Sequence, residues 1–365
     1  MIRRVVLMFV VPLLLCVTAM AQSGVEKVYA FTEASDLNII GKIHENTANP
    51  YHRVDTSRYK GWNKIENIQV RCPAGLMVLF KTDSPSVSVK TEYGWKTDFV
   101  NMTAISYKGY DLYICRNGEW IYAASGVVHS RDDSDNLVLA DNLGNNVKEC
   151  MLYLPIYSEV LSVRIGVEEG SMIEALESPF RHRIGIYGSS FTQGICASRA
   201  GMSYPMQLMR MTGMQFLNLG CGGNGKMQPH FADILCDADM DALVLDTFSN
   251  PTADLIEERL TSFIEKIRTA HPEIPIVFQQ TIYRERRNFD HKYMAREIRK
   301  QKTAERLMRE VCKKYDNVYF IRPNATDRCH STSVDGSHPN DQGYALWAKS
   351  IEKPVRRILR KHGIR

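Results

Sequence analysis

From Gln22 to about Pro179 the apolar positions come in short runs: Ile68-Gln69-Val70-Arg71, Leu76-Met77-Val78-Leu79-Phe80, Val87-Ser88-Val89 and Leu161-Ser162-Val163-Arg164-Ile165. Gly, Pro, Asn and Asp turns separate them, so each run predicts a strand. No helical pattern of convincing length occurs here. Short strands at this spacing predict an all-β domain over 22–179, a β-sandwich of jelly-roll-like form.

After Pro179 the rhythm becomes apolar strand, polar loop, long helical stretch. Strands are predicted at Ile184 to Tyr187, Gln215 to Leu219, Ala242 to Asp246, Ile274 to Phe278 and Val318 to Ile321. Helical period fills Asp254 to Thr269 and Met294 to Lys314. This alternation predicts a parallel sheet covered on both faces over 180–365, with the active site at the carboxyl ends of its strands. The boundary, Glu177 to Arg183, is too short for a flexible linker, so the two domains are expected to pack together.

Composition changes this picture little: 44% hydrophobic and 24% charged residues are ordinary globular usage. The beginning of the chain adds more. Met1-Ile2-Arg3-Arg4, an apolar run from Val5 to Val17 and Ala19-Met20-Ala21 read as a secretory signal peptide over 1–21, cleaved before Gln22. The run is shorter than the roughly 20 residues that span a bilayer, so no stable membrane insertion is expected. Cys16 is no lipid-attachment site, because bulky Leu15 precedes it.

The remaining cysteines, Cys72, Cys115, Cys150, Cys196, Cys221, Cys236, Cys312 and Cys329, are scattered without a Cys-x-x-Cys pair. They read as buried free thiols with at most one or two bridges, not as a zinc site. His182, His230, His271 and His330 also lack metal-ligand spacing, and the methionines from Met206 to Met214 read as packing on one helix. The net charge of +5 comes mainly from Arg284 to Arg309 and Arg356 to Arg365, where basic residues alternate with apolar ones as on solvated helix faces. With no basic stripe carrying interleaved aromatics, nucleic acid is excluded as a partner.

Four segments carry chemistry. Gly188-Ser189-Ser190-Phe191-Thr192-Gln193-Gly194 sets a serine on a strand-to-helix turn, which exposes the hydroxyl and lends it backbone N–H donors. Asp335-Gly336-Ser337-His338-Pro339-Asn340 places a carboxylate three residues before an imidazole, the spacing that can hold a general base in one tautomer. The same segment also reads as a helix cap, with Pro339 as first helical residue. Asn218-Leu219-Gly220-Cys221-Gly222-Gly223-Asn224-Gly225 and Asp246-Thr247-Phe248-Ser249-Asn250 offer a glycine N–H and an asparagine amide for an oxyanion hole. A phosphate-cradling loop is excluded, since no Gly-Lys-Ser/Thr completes it.

Ser, Gly, Asn and His arrive in that order, each after its strand, and over Ile184 to Leu359 the chain resembles the SGNH (GDSL-like) hydrolases. The resemblance implies a flavodoxin-like three-layer α/β domain. It implies Ser190 as nucleophile and oxyanion donor, Gly223 and Asn250 as further oxyanion donors, His338 as base and Asp335 as its orienter. Gly222 competes with Gly223, which is chosen because Asn224 follows it. The family's usual Asp before the nucleophile is Ser189 here, at a position that does no chemistry. Gly109-Tyr110-Asp111-Leu112-Tyr113 resembles the signature of a β-rich domain that precedes one SGNH subfamily, over roughly Tyr29 to Pro179; physically it reads as a strand with an aromatic side. Arg199 reads as an exposed loop arginine.

The resemblance implies a secreted or periplasmic esterase that uses no metal and no cofactor. Its partner would be an acylated small molecule or polysaccharide, and the chemistry removal of short acyl, above all acetyl, groups. A lipid or thioester hydrolase is one alternative, and an inactive carbohydrate-binding protein another. Asn101 and Asn324 head glycosylation sequons.

Overall fold

The computed structural model describes residues 27–129 and 132–365. The leader expected at Met1 to Ala21 lies outside the described residues.

The antiparallel strands are β1 (Tyr29–Glu33), β2 (Asn38–Ile40), β3 (Met77–Thr82), β4 (Val87–Tyr93), β5 (Tyr110–Arg116), β6 (Glu119–Gly126), β7 (Leu137–Ala140), β8 (Lys148–Tyr153), β9 (Val160–Glu168) and β10 (Ile173–Ala175). They form one sheet in the order β1-β9-β4-β7 and a second in the order β10-β3-β8-β5-β6, with β2 also paired to β3. The run Met77-Val78-Leu79-Phe80 is buried throughout because the second sheet is covered on both faces. Val78 and Phe80, with Cys150 and Leu152 opposite them, fill the sandwich core against Val87, Val163 and Ile165. Met77 and Leu79, with Tyr153 and Met151 opposite, face the other way and join a core containing Ile184, Ile186 and Phe191. The alternation of period two therefore divides one strand between two cores.

Two short helices interrupt the strands, α1 (Lys64–Arg71) and α2 (Ala104–Lys108). The strand expected at Ile68 to Arg71 is thus a helix. Asn63 accepts from the Ile65 and Glu66 amides, and the Glu66 carboxylate accepts from the Asn63 amide. That capping box decides the local structure over a four-residue alternation.

The parallel sheet holds β11 (Arg183–Gly188), β12 (Gln215–Gly220), β13 (Ala242–Asp246), β14 (Ile276–Gln279) and β15 (Val318–Ile321), in the order β12-β11-β13-β14-β15. This is the flavodoxin-like order, in which the chain reverses direction of winding at β11 and β13 and leaves a crevice at their carboxyl ends. After β11 comes α3 (Ser190–Gln193), then α4 (Tyr204–Thr212), α5 (Pro229–Cys236), α6 (Ala253–Ala270), α7 (His291–Lys314) and α8 (Asp341–Lys361). One face of the sheet is covered by α4 and α8 through Leu208, Met209, Trp347 and Ile351. On the other face, α5, α6 and α7 contribute Phe231, Leu260, Phe263 and Met308. Asn340 caps α8 by accepting from the Gly343 amide at 3.0 Å, so Pro339 precedes the cap and is not the first helical residue.

The two halves share buried polar contacts. Arg53, fully buried, donates to the carbonyls of Gln69, Cys72, Asn218 and Gly220 at 2.6 to 3.1 Å and so ties α1 to the end of β12. Asp111 of β5 is buried and accepts from Arg199 at 2.7 Å and from the Gly201 amide at 2.9 Å. Arg199 is therefore no exposed loop arginine. Its guanidinium also donates to Tyr113 Oη at 2.7 Å and lies 4.0 Å from the Tyr122 ring centroid.

Candidate active site

Gly188 stands opposite Gly220 on one side and Asp246 on the other, at the carboxyl ends of β11, β12 and β13. Ser190 follows the first, Gly223 the second and Asn250 the third, so the register of the sheet brings these three loops together. A Cβ on Gly220 would lie 2.1 Å from the Gln193 nitrogen, which is why the turn of α3 can seat directly on β12.

Ser190 opens α3 and is 6% exposed. The preceding Ser189 caps the helix, its Oγ accepting from the Phe191 amide at 3.2 Å and donating to Asp246 Oδ2 at 2.6 Å. Asp246 is fully buried beneath this turn and also accepts from the hydroxyls of Thr192 and Ser249. Burial pushes its carboxyl up, against the opposing pull of the Ser189 and Ser249 hydrogen bonds. Ser189 thus anchors the turn through Asp246 and the Phe191 amide.

His338 Nε2 lies 3.2 Å from Ser190 Oγ, and His338 Nδ1 lies 2.8 Å from Asp335 Oδ2. Asp335 Oδ1 accepts the backbone amides of Ser337 and His338 at 3.0 and 2.9 Å. Burial would raise the Asp335 carboxyl, but donors from His338 and Asn101 outweigh it and hold it down to about 2. The carboxylate is therefore charged across the working range of any ordinary esterase. The Nδ1 contact to a carboxylate favours the tautomer with the proton on Nδ1, leaving Nε2 to accept from the serine.

The two glycine amides that could serve as oxyanion donors differ in what already occupies them. The Gly222 amide donates to Gln193 Oε1 at 2.9 Å, whereas the Gly223 amide has no hydrogen-bond partner among the described residues. Gly223 has φ of +72°, the left-handed region that favours glycine. Asn250 Oδ1 accepts from the Gly225 amide at 3.1 Å, which orients the side chain and leaves its NH₂ without an acceptor among the described residues. Asn250→Ala is expected to lower kcat on an ester by about 10²- to 10³-fold with little change in Tm; a variant within twofold of wild type in a p-nitrophenyl acetate assay removes Asn250 from the oxyanion hole.

Two basic side chains support these groups. Arg284 donates to the Ser249 carbonyl at 2.5 Å, and its guanidinium lies 5.1 Å from the Phe191 ring centroid. Lys300, buried beside Glu297, reaches the same carbonyl at 3.2 Å. Both hold the loop that carries Asn250, and no motif marks either.

Cys196, Asp335 and His338 place ligand-capable atoms within 4.8 Å of one another. The Asp335 and His338 atoms are bonded to each other, and burial pushes the Cys196 thiol up to about 12, so a neutral thiol sits beside the pair. Cys72, Cys115, Cys150, Cys196, Cys221, Cys236, Cys312 and Cys329 are all free.

A model of the GDSL-like lipase/acylhydrolase family matches residues 181–356, and a model of the N-terminus of SGNH-hydrolase-type esterases matches residues 29–173. Among solved structures, a candidate GDSL-like lipase from Bacteroides ovatus is 37% identical with a TM-score of 0.87, over 91% of this chain and 98% of that one. A salicylyl-acyltransferase from a tetracycline biosynthetic pathway is 20% identical with a TM-score of 0.67, over 92% and 99%. A family two carbohydrate esterase from Cellvibrio japonicus is 14% identical with a TM-score of 0.57, over 92% and 99%. The last two share the fold. No curated protein matches the chain.

Proposed function

From the premise that the chain belongs to the GDSL-like lipase/acylhydrolase family and is an ester hydrolase, we propose that it is an exported serine esterase that removes short acyl groups, above all acetyl, from carbohydrate. The observation that carries the mechanism is the hydrogen-bonded line Ser190–His338–Asp335. His338 Nε2 takes the Ser190 proton as Oγ bonds to the ester carbonyl carbon. The carbonyl oxygen gains the charge and is met by the amides of Ser190 and Gly223 and the NH₂ of Asn250. Collapse breaks the bond to the alcohol, which leaves with the proton from His338. Water then repeats the sequence on the acyl-enzyme and releases the acid.

Support for a carbohydrate alcohol comes from the fold shared with the Cellvibrio japonicus carbohydrate esterase and from the β-sandwich that accompanies the catalytic sheet. Among the described residues no helix is long and apolar enough to cross a membrane. Export rests on the leader read at Met1 to Ala21.

The test is acetate release from acetylated xylan, alongside hydrolysis of p-nitrophenyl acetate, octanoate and palmitate. The proposal expects acetate release from the glycan and acetate preferred over palmitate. Preference for palmitate moves the protein to the lipid hydrolases, and silence on every ester favours a carbohydrate-binding role.

A further inference from the structure

Asp335 has four donors, and one does not come from the catalytic half. Its Oδ1 is filled by the amides of Ser337 and His338; its Oδ2 is shared by His338 Nδ1 at 2.8 Å and by Asn101 Nδ2 at 2.9 Å. Asn101 belongs to the β-sandwich half, on the segment leading into α2, and is separated from Asp335 by 234 positions.

That segment is braced on both sides. Phe99 lies against Tyr157, with ring centroids 4.9 Å apart, and Tyr107 Oη donates to Asp98 at 2.8 Å. Thr103 caps α2 and donates its hydroxyl to the Ser198 carbonyl at 2.6 Å. Ser198 in turn donates its amide to Asp341 at 2.8 Å, at the start of α8 just beyond His338. Asn101 is thus held in place by its neighbours, and Asp335 is the acceptor its side chain meets.

We propose that Asn101 is a positioning residue of the active site: the β-sandwich half completes the catalytic apparatus by fixing the free lone pair of Asp335 Oδ2, so that the carboxylate stays aligned on His338 Nδ1. This rests on the proposed Ser190–His338–Asp335 mechanism. An acceptor oxygen with one donor can rotate toward water; with two donors on Oδ2 and two on Oδ1 the carboxylate plane is determined. The donor also draws charge from Oδ2 and so moderates how strongly Asp335 stabilises the imidazolium.

Other groups around the pair do not substitute for Asn101. The Cys196 thiol is neutral, Asp341 is engaged by Ser198, Arg284 lies over Phe191, and Arg286, whose amide donates to the Gly336 carbonyl, directs its guanidinium to Asp290.

The experiment compares wild type with Asn101→Ala and the near-isosteric Asn101→Asp in the full chain, measuring kcat, KM and the pH profile of kcat on p-nitrophenyl acetate, with Tm as control. Loss of one hydrogen bond to a charged, half-exposed acceptor is expected to lower kcat about tenfold in Asn101→Ala, with KM within about twofold. Asn101→Asp sets a second negative charge against Asp335, favours the protonated imidazole and moves the acid limb of kcat up by about one pH unit. Wild-type kcat and pH profile in both variants, or losses that track a fallen Tm with the acid limb unmoved, overturn the proposal. Ser190→Ala in parallel separates the two readings. If it stays active the mechanism itself fails; if it is dead while both Asn101 variants match wild type, only the role of Asn101 fails.

Discussion

Ser190→Ala is expected to lower kcat by roughly 10⁴- to 10⁶-fold on any ester the wild type hydrolyses. In the proposed mechanism the hydroxyl supplies the atom that bonds to the acyl carbon, and its neighbours cannot replace it. Ser189 Oγ is committed to Asp246 and to the cap of α3, and the Thr192 hydroxyl is bound to Asp246 and Tyr204. What survives is the contribution of the oxyanion donors acting on water, so residual activity should exceed the uncatalysed rate while forming no acyl-enzyme. Removing one oxygen from a small residue in an intact turn should leave Tm near the wild-type value. A variant that retains a tenth of wild-type kcat at unchanged Tm contradicts the assignment.

Asp335→Asn is the second large effect, a loss of about 10⁴-fold in kcat. The argument is about donors. Both carboxylate oxygens of Asp335 only accept: Oδ1 from two backbone amides, Oδ2 from His338 and Asn101. An asparagine must turn its NH₂ toward one of these pairs. Facing His338, it forces the imidazole proton onto Nε2, where the ring can no longer accept from Ser190 at 3.2 Å. Facing the Ser337 and His338 amides, it breaks the loop that places the ring. Either way the base is lost while Ser190 and the oxyanion donors remain. The check is kcat at the pH optimum together with labelling of Ser190 by a fluorophosphonate, which should slow in parallel. Equal kcat for the two proteins would mean that His338 is oriented by other groups.

How much of this was legible follows from the range of each interaction. Ala242–Asp246 and Val318–Ile321 are strands with the bounds read from their apolar runs, because both lie in a sheet covered on two faces. The meeting of Ser190, Gly223 and Asn250 could be read from the chain because each follows a strand of one parallel sheet, and parallel neighbours end on the same side. His338 and Asp335 are three residues apart, so their contact is local. Ile68–Arg71 is helical against its strand-like pattern because a window of four residues cannot show that Asn63 and Glu66 cap a helix just upstream. The first helical residue is Asp341, two positions beyond the Pro339 that the sequence suggests, since Asn340 supplies the cap.

The illegible contacts are those between the halves. Asp111 could be matched to the GxDLY signature, but nothing along the chain pairs it with Arg199, 88 positions away. Arg53 has no acid partner to suggest a site; its donors go to backbone carbonyls, which no residue pattern reveals. Asn101 looked like the head of a glycosylation sequon. Within the C-terminal half, the Gln193 side chain that occupies the Gly222 amide is equally invisible to the residue pattern.

The measurement that tests the central claim most directly is the intact mass of the full chain after exposure to a fluorophosphonate, with the labelled peptide mapped, for wild type and Ser190→Ala. A single adduct on wild type, located at Ser190, absent from Ser190→Ala and accompanied by loss of esterase activity, is the predicted result. An adduct that persists on Ser190→Ala, or ester hydrolysis by wild type that survives complete labelling, would contradict it.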